Sequence, residues 1–270
     1  MYLIKALIDI VIILLLLRLL IRKNEAAFNQ IFSLLYRITD PLLIPSRTVT
    51  RNDVKGIFLN VLALVILRGL VFISIKPMSF LVGTGYSLLI LFQLLFQFYM
   101  VIWFVSVLSE YSYGASLISI LQRAFIPINN LSKKIGISTR FFNLFSFLFL
   151  WILYSLLSFL VHFLMTSGGN LLSFSFIQGL GEGLILILGL FPGFFSLVII
   201  VGALLSWVSP DPYNPIVQTI YGISEPFLAP FRKIVPSFGG LDISPIVALL
   251  CFQILGRFGQ QLLSGIMRII

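Results

Sequence analysis

Apolar residues gather in long runs, each close to the ~20 residues that a helix needs to cross the hydrocarbon of a bilayer. The runs are Tyr2–Ile21, Gly56–Ile75, a stretch within Ser79–Ser109, Phe141–Met165, Glu182–Trp207 and one from Ser244 to the end. The third is longer than one crossing requires, which predicts a tilt or an interfacial start. The fifth holds Pro192 between Gly189 and Gly193, which predicts a bend. Between the runs the pattern changes. In Asn214–Pro236, Ile216, Val217, Ile220, Ile223 and Phe227 recur at near-helical spacing, with Gln218 and Thr219 on another face. This predicts a short amphipathic helix. Asn214 suits its N-cap and Pro215 its first position, where a missing N–H costs nothing. Pro226 disfavours helix at Glu225, so the helix is expected to end there, and Pro230 and Pro236 are expected to keep it from resuming. Gly239 and Gly240 read as a turn. Asp242 or Ser244 then caps the last run, with Pro245 near its first position.

The same pattern occurs earlier. Asn29–Arg47 matches Asn214–Arg232 without a gap at Asn29/Asn214, Ile31/Ile216, Tyr36/Tyr221, Ile38/Ile223, Pro41/Pro226, Leu43/Leu228, Pro45/Pro230 and Arg47/Arg232, while Thr39/Ser224 and Asp40/Glu225 keep their chemistry. An amphipathic helix over Phe28–Asp40, kinked at Pro41 and Pro45, is expected. In the middle of the chain, Pro127 and Lys133 fall where Pro226 and Arg232 do, but the Asn, Tyr, acidic and second Pro positions are absent. That segment reads equally as a worn third copy or as unrelated. The expected architecture is all-α membrane, with about six transmembrane helices in span–amphipathic hairpin–span repeats. The boundaries are 1–77 for the first unit, 78–181 for a degenerate middle unit and 182–270 for the best-preserved one.

Composition sharpens this. The 270 residues are 59% hydrophobic and 10% charged, with a mean hydropathy of +1.10. Soluble domains carry about 25% charged residues. The formal net charge of +9 does not point to nucleic acid, because the cations sit in short loops. Twelve of the 18 basic residues lie in the connectors after the first, third and fifth runs. By the positive-inside rule those connectors face the cytoplasm and both termini face outward. Anionic lipid at the cytoplasmic face is the expected partner of these cations, with a membrane-protein partner as a further possibility. Cys251 is the one cysteine, so no internal disulfide forms. The apolar N-terminus lacks a small-residue cleavage site and is read as a retained span.

The segment SWVSPDPYNPIVQTIYGISEPFLAPFRKIVPSFGGLDISPIVALLCFQIL resembles the YggT family, called YlmG in Gram-positive bacteria and chloroplasts. The carrying residues are Asn214, Pro215, Tyr221, Glu225, Pro226, Pro230, Arg232, Pro236, Gly239, Gly240, Asp242, Ser244 and Pro245. Asn29–Arg47 resembles the first of that family's two repeats, although Thr48–Asp53 stands where the R-K-I-V-P and GGLD segments would fall. The resemblance implies an integral protein of the bacterial inner membrane or the plastid. It also implies links to osmotic-shock tolerance and cation uptake, to membrane-protein or cytochrome assembly, or to division and nucleoid organisation.

Little in the sequence suggests catalysis. His162 stands without a GxSxG, HExxH or second histidine, and no cofactor or metal is expected. Glu225, Arg232, Lys233 and Asp242 read either as headgroup pins for the hairpin or as a charged vestibule for an ion or a partner. Asp9, Arg18, Arg68 and Arg257 fall inside apolar runs. An ionised group at the membrane centre costs ~2.5–3.5 kcal/mol even on the lenient insertion scale. Arg18 lies about one turn from the cytoplasmic end and is expected to snorkel. Asp9 and Arg68 fall at matching depths on two antiparallel helices and are expected to pair. The alternative places Arg68 against a polar cavity with Asn60 or Gln93. Arg257 aligns with Arg68 when Asp53 is set on Asp242.

Overall fold

The computed structural model describes residues 2–28, 30–75, 77–108, 115–165, 175–208, 211, 214–235 and 242–268. Nearly all are helical and none of the described residues is in a strand. The helices are α1 (Tyr2–Leu20), α2 (Lys23–Phe28), α3 (Gln30–Arg47), α4 (Asp53–Ile75), α5 (Phe80–Leu108), α6 (Ala115–Gln122), α7 (Ile126–Ile135), α8 (Phe142–Met165), α9 (Phe176–Leu190), α10 (Ser196–Val208), α11 (Pro215–Ile234) and α12 (Ser244–Met267). Among the described residues five helical stretches are long and apolar enough to cross a membrane: Asp53–Ile75, Phe80–Leu108, Thr139–Met165, Phe176–Ser206 and Ser244–Met267. The expected first span, α1, has 19 residues but carries Lys5, Asp9 and Arg18 among them. Many large apolar side chains on these helices are exposed, among them Leu62, Leu153, Leu204 and Leu255. Acyl chains are the natural cover for such surface.

The chain divides into two compact units, Met1–Leu95 with Leu157–Phe174, and Phe96–Leu156 with Ser175–Ile270. In the first, Ile8, Ile12 and Leu15 recur at helical spacing on α1 and pack with Leu43 of α3, Ile57, Val61 and Val65 of α4 and Leu91 of α5. Asn60 of α4 donates to Ser46 Oγ of α3 at 2.9 Å and to Gly56 O at 3.0 Å. It therefore braces the α3–α4 contact and is not a partner of Arg68.

In the second unit α9 and α10 run as one stretch through a single π turn, Phe191–Phe195. Pro192 has no N–H to give to the carbonyl four residues back, and the widened turn absorbs the defect. Ser196 Oγ donates to Phe191 O at 2.8 Å and Gln253 Nε2 of α12 donates to Pro192 O at 2.9 Å. The approach needs Gly256, since a β-carbon there would meet Pro192 Cδ at 2.5 Å. Phe195 is fully buried, its ring 4.1 Å from that of Phe227 on α11 and packed against Phe191. The fifth span also begins earlier than its apolar run. Ser175 and Gln178 form a reciprocal capping box that starts α9 at Phe176, ahead of the apolar run at Glu182.

The prolines correct the expected hairpins. α3 continues through Pro41 and Pro45, and α11 continues through Pro226 and Pro230 to Ile234. Pro226 does not end its helix, and neither Pro41 nor Pro45 ends α3. Each proline removes a single backbone hydrogen bond while its fixed φ stays helical. The two prolines of each helix stand four residues apart, so both lost bonds lie along one strip and the rest of the ladder survives. Residues past the first proline are anchored in the packing: Leu43 and Ser46 in α3, Phe227 and Leu228 in α11, all buried. Pro127, by contrast, stands in the first turn of α7.

Candidate functional site

The proline helices bring charged residues together at their C-terminal halves. In the first unit Arg18, in the last turn of α1, is only 4% exposed. Its side chain folds back against α3. Its guanidinium carbon lies 4.2 Å from the centre of the Tyr36 ring. Its Nη1 donates to Thr39 Oγ1 at 2.7 Å and its Nη2 to Asp40 Oδ1 at 2.8 Å, with Asp53 Oδ2 at 3.6 Å. Arg47 completes the set, reaching Asp40 at 3.1 Å and Asp53 at 3.4 Å. Two cations thus share two carboxylates. Burial alone raises the Asp40 carboxyl, but the hydrogen bonds and charges of Arg18 and then Arg47 outweigh it and hold the group below the ordinary carboxylate value. Tyr36 donates its hydroxyl to Ile21 O at 2.8 Å, closing the end of α1 onto α3.

In the second unit Arg232 of α11 plays the part of Arg47. Its Nη1 pairs with Glu225 and its Nε donates to Asp242 Oδ2 at 2.7 Å. Asp242 Oδ1 also accepts from the backbone N–H of Ser244 at 2.9 Å and from the Ser244 hydroxyl. Ile243 holds the N-cap position of α12 without a side-chain cap, and Asp242 satisfies the N–H of Ser244, the first helical residue, with Pro245 in the same turn. Burial favours the protonated form of Asp242, yet Ser244 and Arg232 prevail and depress its pKa. Asn214 stands directly before α11 and its carbonyl accepts the first helical bond, from Gln218 N at 3.0 Å. Tyr221, Arg232, Asp242 and Pro245 line a small cavity together with Gly202, Ala203, Ser206 and Leu228. Pro215 opens α11, as expected for a first helical position. Asn29, Pro236, Gly239 and Gly240 lie outside the described residues.

Deeper in the first unit Arg68 of α4 is paired with Asp9 of α1. Arg68 is 1% exposed. Its Nε donates to Ser87 Oγ at 2.9 Å and its Nη2 to Ser87 O at 2.6 Å. The Ser87 hydroxyl in turn donates to Val65 O at 2.6 Å. Sequence reasoning missed Ser87, because only the packing of α5 on α4 puts it beside the guanidinium. Arg257 is no counterpart to Arg68, since it is exposed on α12 and has no ion pair among the described residues. His162 Nδ1 sits 2.9 Å from Ser158 O, one turn back on α8. No cluster of metal-ligating side chains occurs among the described residues.

The family model described as CCB3/YggT matches residues 181–263, which contain the second charge cluster. An uncharacterized protein of Vibrio alginolyticus is 31% identical over 178 residues, covering 66% of this chain and 90% of that protein. An uncharacterized protein of Pseudomonas aeruginosa is 44% identical over 72 residues, 27% of this chain and 36% of that protein. YggT of Escherichia coli K12 is 32% identical over 77 residues, 26% of this chain and 40% of that protein. The matched region thus spans little more than a third of the Pseudomonas and Escherichia proteins and nearly all of the Vibrio one. No solved structure matches the chain.

Proposed function

This chain belongs to the CCB3/YggT family, and from that premise we propose that it supports osmotic and ion homeostasis as a multi-pass protein of the bacterial inner membrane. In this reading it is a component of cation handling and performs no covalent chemistry. The two proline helices lie at the cytoplasmic surface, where their cations meet anionic headgroups, and the termini face outward. The observation that supports it is the Asp9–Arg68–Ser87 constellation inside apolar helices. Ionised side chains kept in such a place are a functional hypothesis by default. The test is cation flux through proteoliposomes holding the purified chain, compared with protein-free vesicles. Flux above that background, reduced by Asp9→Asn, supports the reading; vesicles as tight as the controls sink it.

A second reading has its own support. α3 presents exposed apolar residues, Leu34, Ile38 and Ile44, beside Arg37 and Arg47. Such a face suits lipid or a partner helix, as a structural or assembly factor would need. Crosslinking in native membranes followed by identification of captured membrane proteins tests it, and capture of lipid alone removes the partner.

A further inference from the structure

α12 is engaged on one side only. Its inward side, where Ala248 and Gly256 are buried, meets α9, α10 and α11. Polar groups on that side have partners within the unit. Gln253 Nε2 donates to Pro192 O at 2.9 Å and Gln260 Nε2 to Ile185 O at 3.1 Å. The outward side differs. Leu250, Ile254, Arg257, Gln261 and Gly265 recur at intervals of three and four, so they share one face of the helix, and all are exposed. Neither the Arg257 guanidinium nor the Gln261 side-chain amide has a partner among the described residues.

Ser244–Met267 is long and apolar enough to cross a membrane. Arg257 stands near its middle, about 15 Å from the nearer end at ~1.5 Å per residue. Snorkelling serves arginines near helix ends, and this one is too deep for it. A charge in hydrocarbon is costly, and such residues ordinarily turn toward a counter-charge on another helix. Arg68 meets that need inside the chain through Asp9 and Ser87. Arg257 has the same need and faces outward. Its surroundings restrict what can meet it. Exposed Leu250, Ile254 and Phe258 flank the guanidinium, and this apolar border suits a helix and not a water-filled channel. A second copy set face to face about a two-fold axis along the membrane normal would oppose Arg257 to its own equivalent, like charge to like charge. Gly265 has open space around it, where another helix backbone can come close.

We propose that the outward face of α12 docks a transmembrane helix of another membrane protein, one that carries an aspartate or glutamate at the depth of Arg257. The carboxylate supplies the missing counter-charge. Gln261, one turn on, hydrogen-bonds to a polar group of the same helix, and Gly265 admits the close approach. The inference rests on the second reading above for the existence of a partner, but it uses a different helix. Failure on α12 leaves the α3 face and the flux test as they stand, and tight vesicles in the flux test leave α12 untouched.

The full chain, with a benzophenone side chain placed at Ile254, is reconstituted in phosphatidylcholine vesicles with a leucine-rich helical peptide of ~20 residues. The peptide carries one central glutamate or, as the control, leucine throughout. Photocrosslinking at low peptide content should favour the glutamate peptide about tenfold, the order that one interhelical hydrogen bond gives to helix pairing. Arg257→Leu should bring the two peptides level, whereas Arg257→Lys, and Arg268→Gln just past the helix end, should keep the preference. Equal yields from the two peptides with Arg257 in place overturn the proposal, as does a preference that survives Arg257→Leu. If Arg257→Leu does not fold, the comparison of the two peptides decides alone. In native membranes the same benzophenone should give an adduct with another membrane protein that Arg257→Lys retains. Adducts with this chain itself, within one copy or between two, or with lipid alone, overturn it.

Discussion

Asp9 and Arg68 stand 59 residues apart in sequence and meet side chain to side chain between α1 and α4. The carboxylate is 22% exposed and the guanidinium 1%, so the cation is the more deeply committed partner. Its Nε–H and one Nη2–H are taken by Ser87, and among the described residues no other carboxylate pairs with it. Removing one partner should therefore hurt more than removing both. Asp9→Asn and Arg68→Gln are each expected to cost ~3 kcal/mol of stability, and the double variant to recover part of the loss. Thermal unfolding of the four proteins in detergent gives the coupling, and strictly additive losses would show that the pair is not energetically joined.

Pro41 and Pro230 are exposed and sit within continuous helices. Alanine restores the missing N–H without touching the core. Pro41→Ala and Pro230→Ala should leave the fold intact and stabilise their helices locally, by at most the ~3 kcal/mol that proline costs in a helix interior. Slower amide exchange in α3 and α11 is the readout. Faster exchange would mean that these helices need the geometry which proline imposes.

The carboxyls of Asp40 and Asp242 are both held below their ordinary value, in each case by hydrogen bonds and a neighbouring guanidinium that outweigh burial. A depressed folded pKa stabilises above the unfolded value, about 3.9 for Asp, and that contribution is lost as pH falls through the folded pKa. Stability should thus be flat from neutral pH down to about pH 5 on this account and fall below about pH 4. Asp40→Asn should weaken that acid limb, modestly, since its side chain is 48% exposed. Melting temperatures at pH 6 and pH 3.5 for both proteins check the sign.

Gly256 faces Pro192 across the α9–α12 contact. Gly256→Ala forces the proline ring or the helix backbone to shift and should cost ~1–3 kcal/mol, despite the better helix propensity of alanine. Gly265, with open space around it on the same helix, is the control, and Gly265→Ala should be neutral or stabilising. Equal effects at both positions would show that the close approach carries no energy.

Much of the helical layout was legible because hydrocarbon imposes one simple requirement, a long apolar run. The meeting of Asp9 and Arg68 was legible for a related reason: depth along antiparallel helices can be counted from residue number. The prolines were misread because local preference was weighed without the packing of Leu43 and Leu228, which holds the helices beyond them. The surroundings of Arg18 were out of reach by the same route. Its partners Tyr36, Thr39 and Asp40 come from α3 and Asp53 from the first turn of α4. Tyr36, Thr39 and Asp40 precede both prolines and reach the end of α1 through the packing of α3 on α1, while Asp53 depends on the continuation of α3 through Pro41 and Pro45 and on the contact of α3 with α4. Ser175 and Gln178 did carry a readable start signal, which the uncharged Gly/Ser-rich composition around them masked.

The π turn at Phe191–Phe195 has a rotational consequence. One extra residue in a turn advances the helix by about 100°, since 3.6 residues complete a full circle. The side of α9 that meets α12 and the side of α10 that meets α11 are therefore out of phase by more than a quarter turn relative to an unbroken helix. A single crossing can so offer two unrelated faces to two neighbours. Excising one residue from Phe191–Phe195 would turn α10 like a key, taking Gly202 away from Ser224 and Ile220 of α11 while leaving the grip of α9 on α12 unchanged.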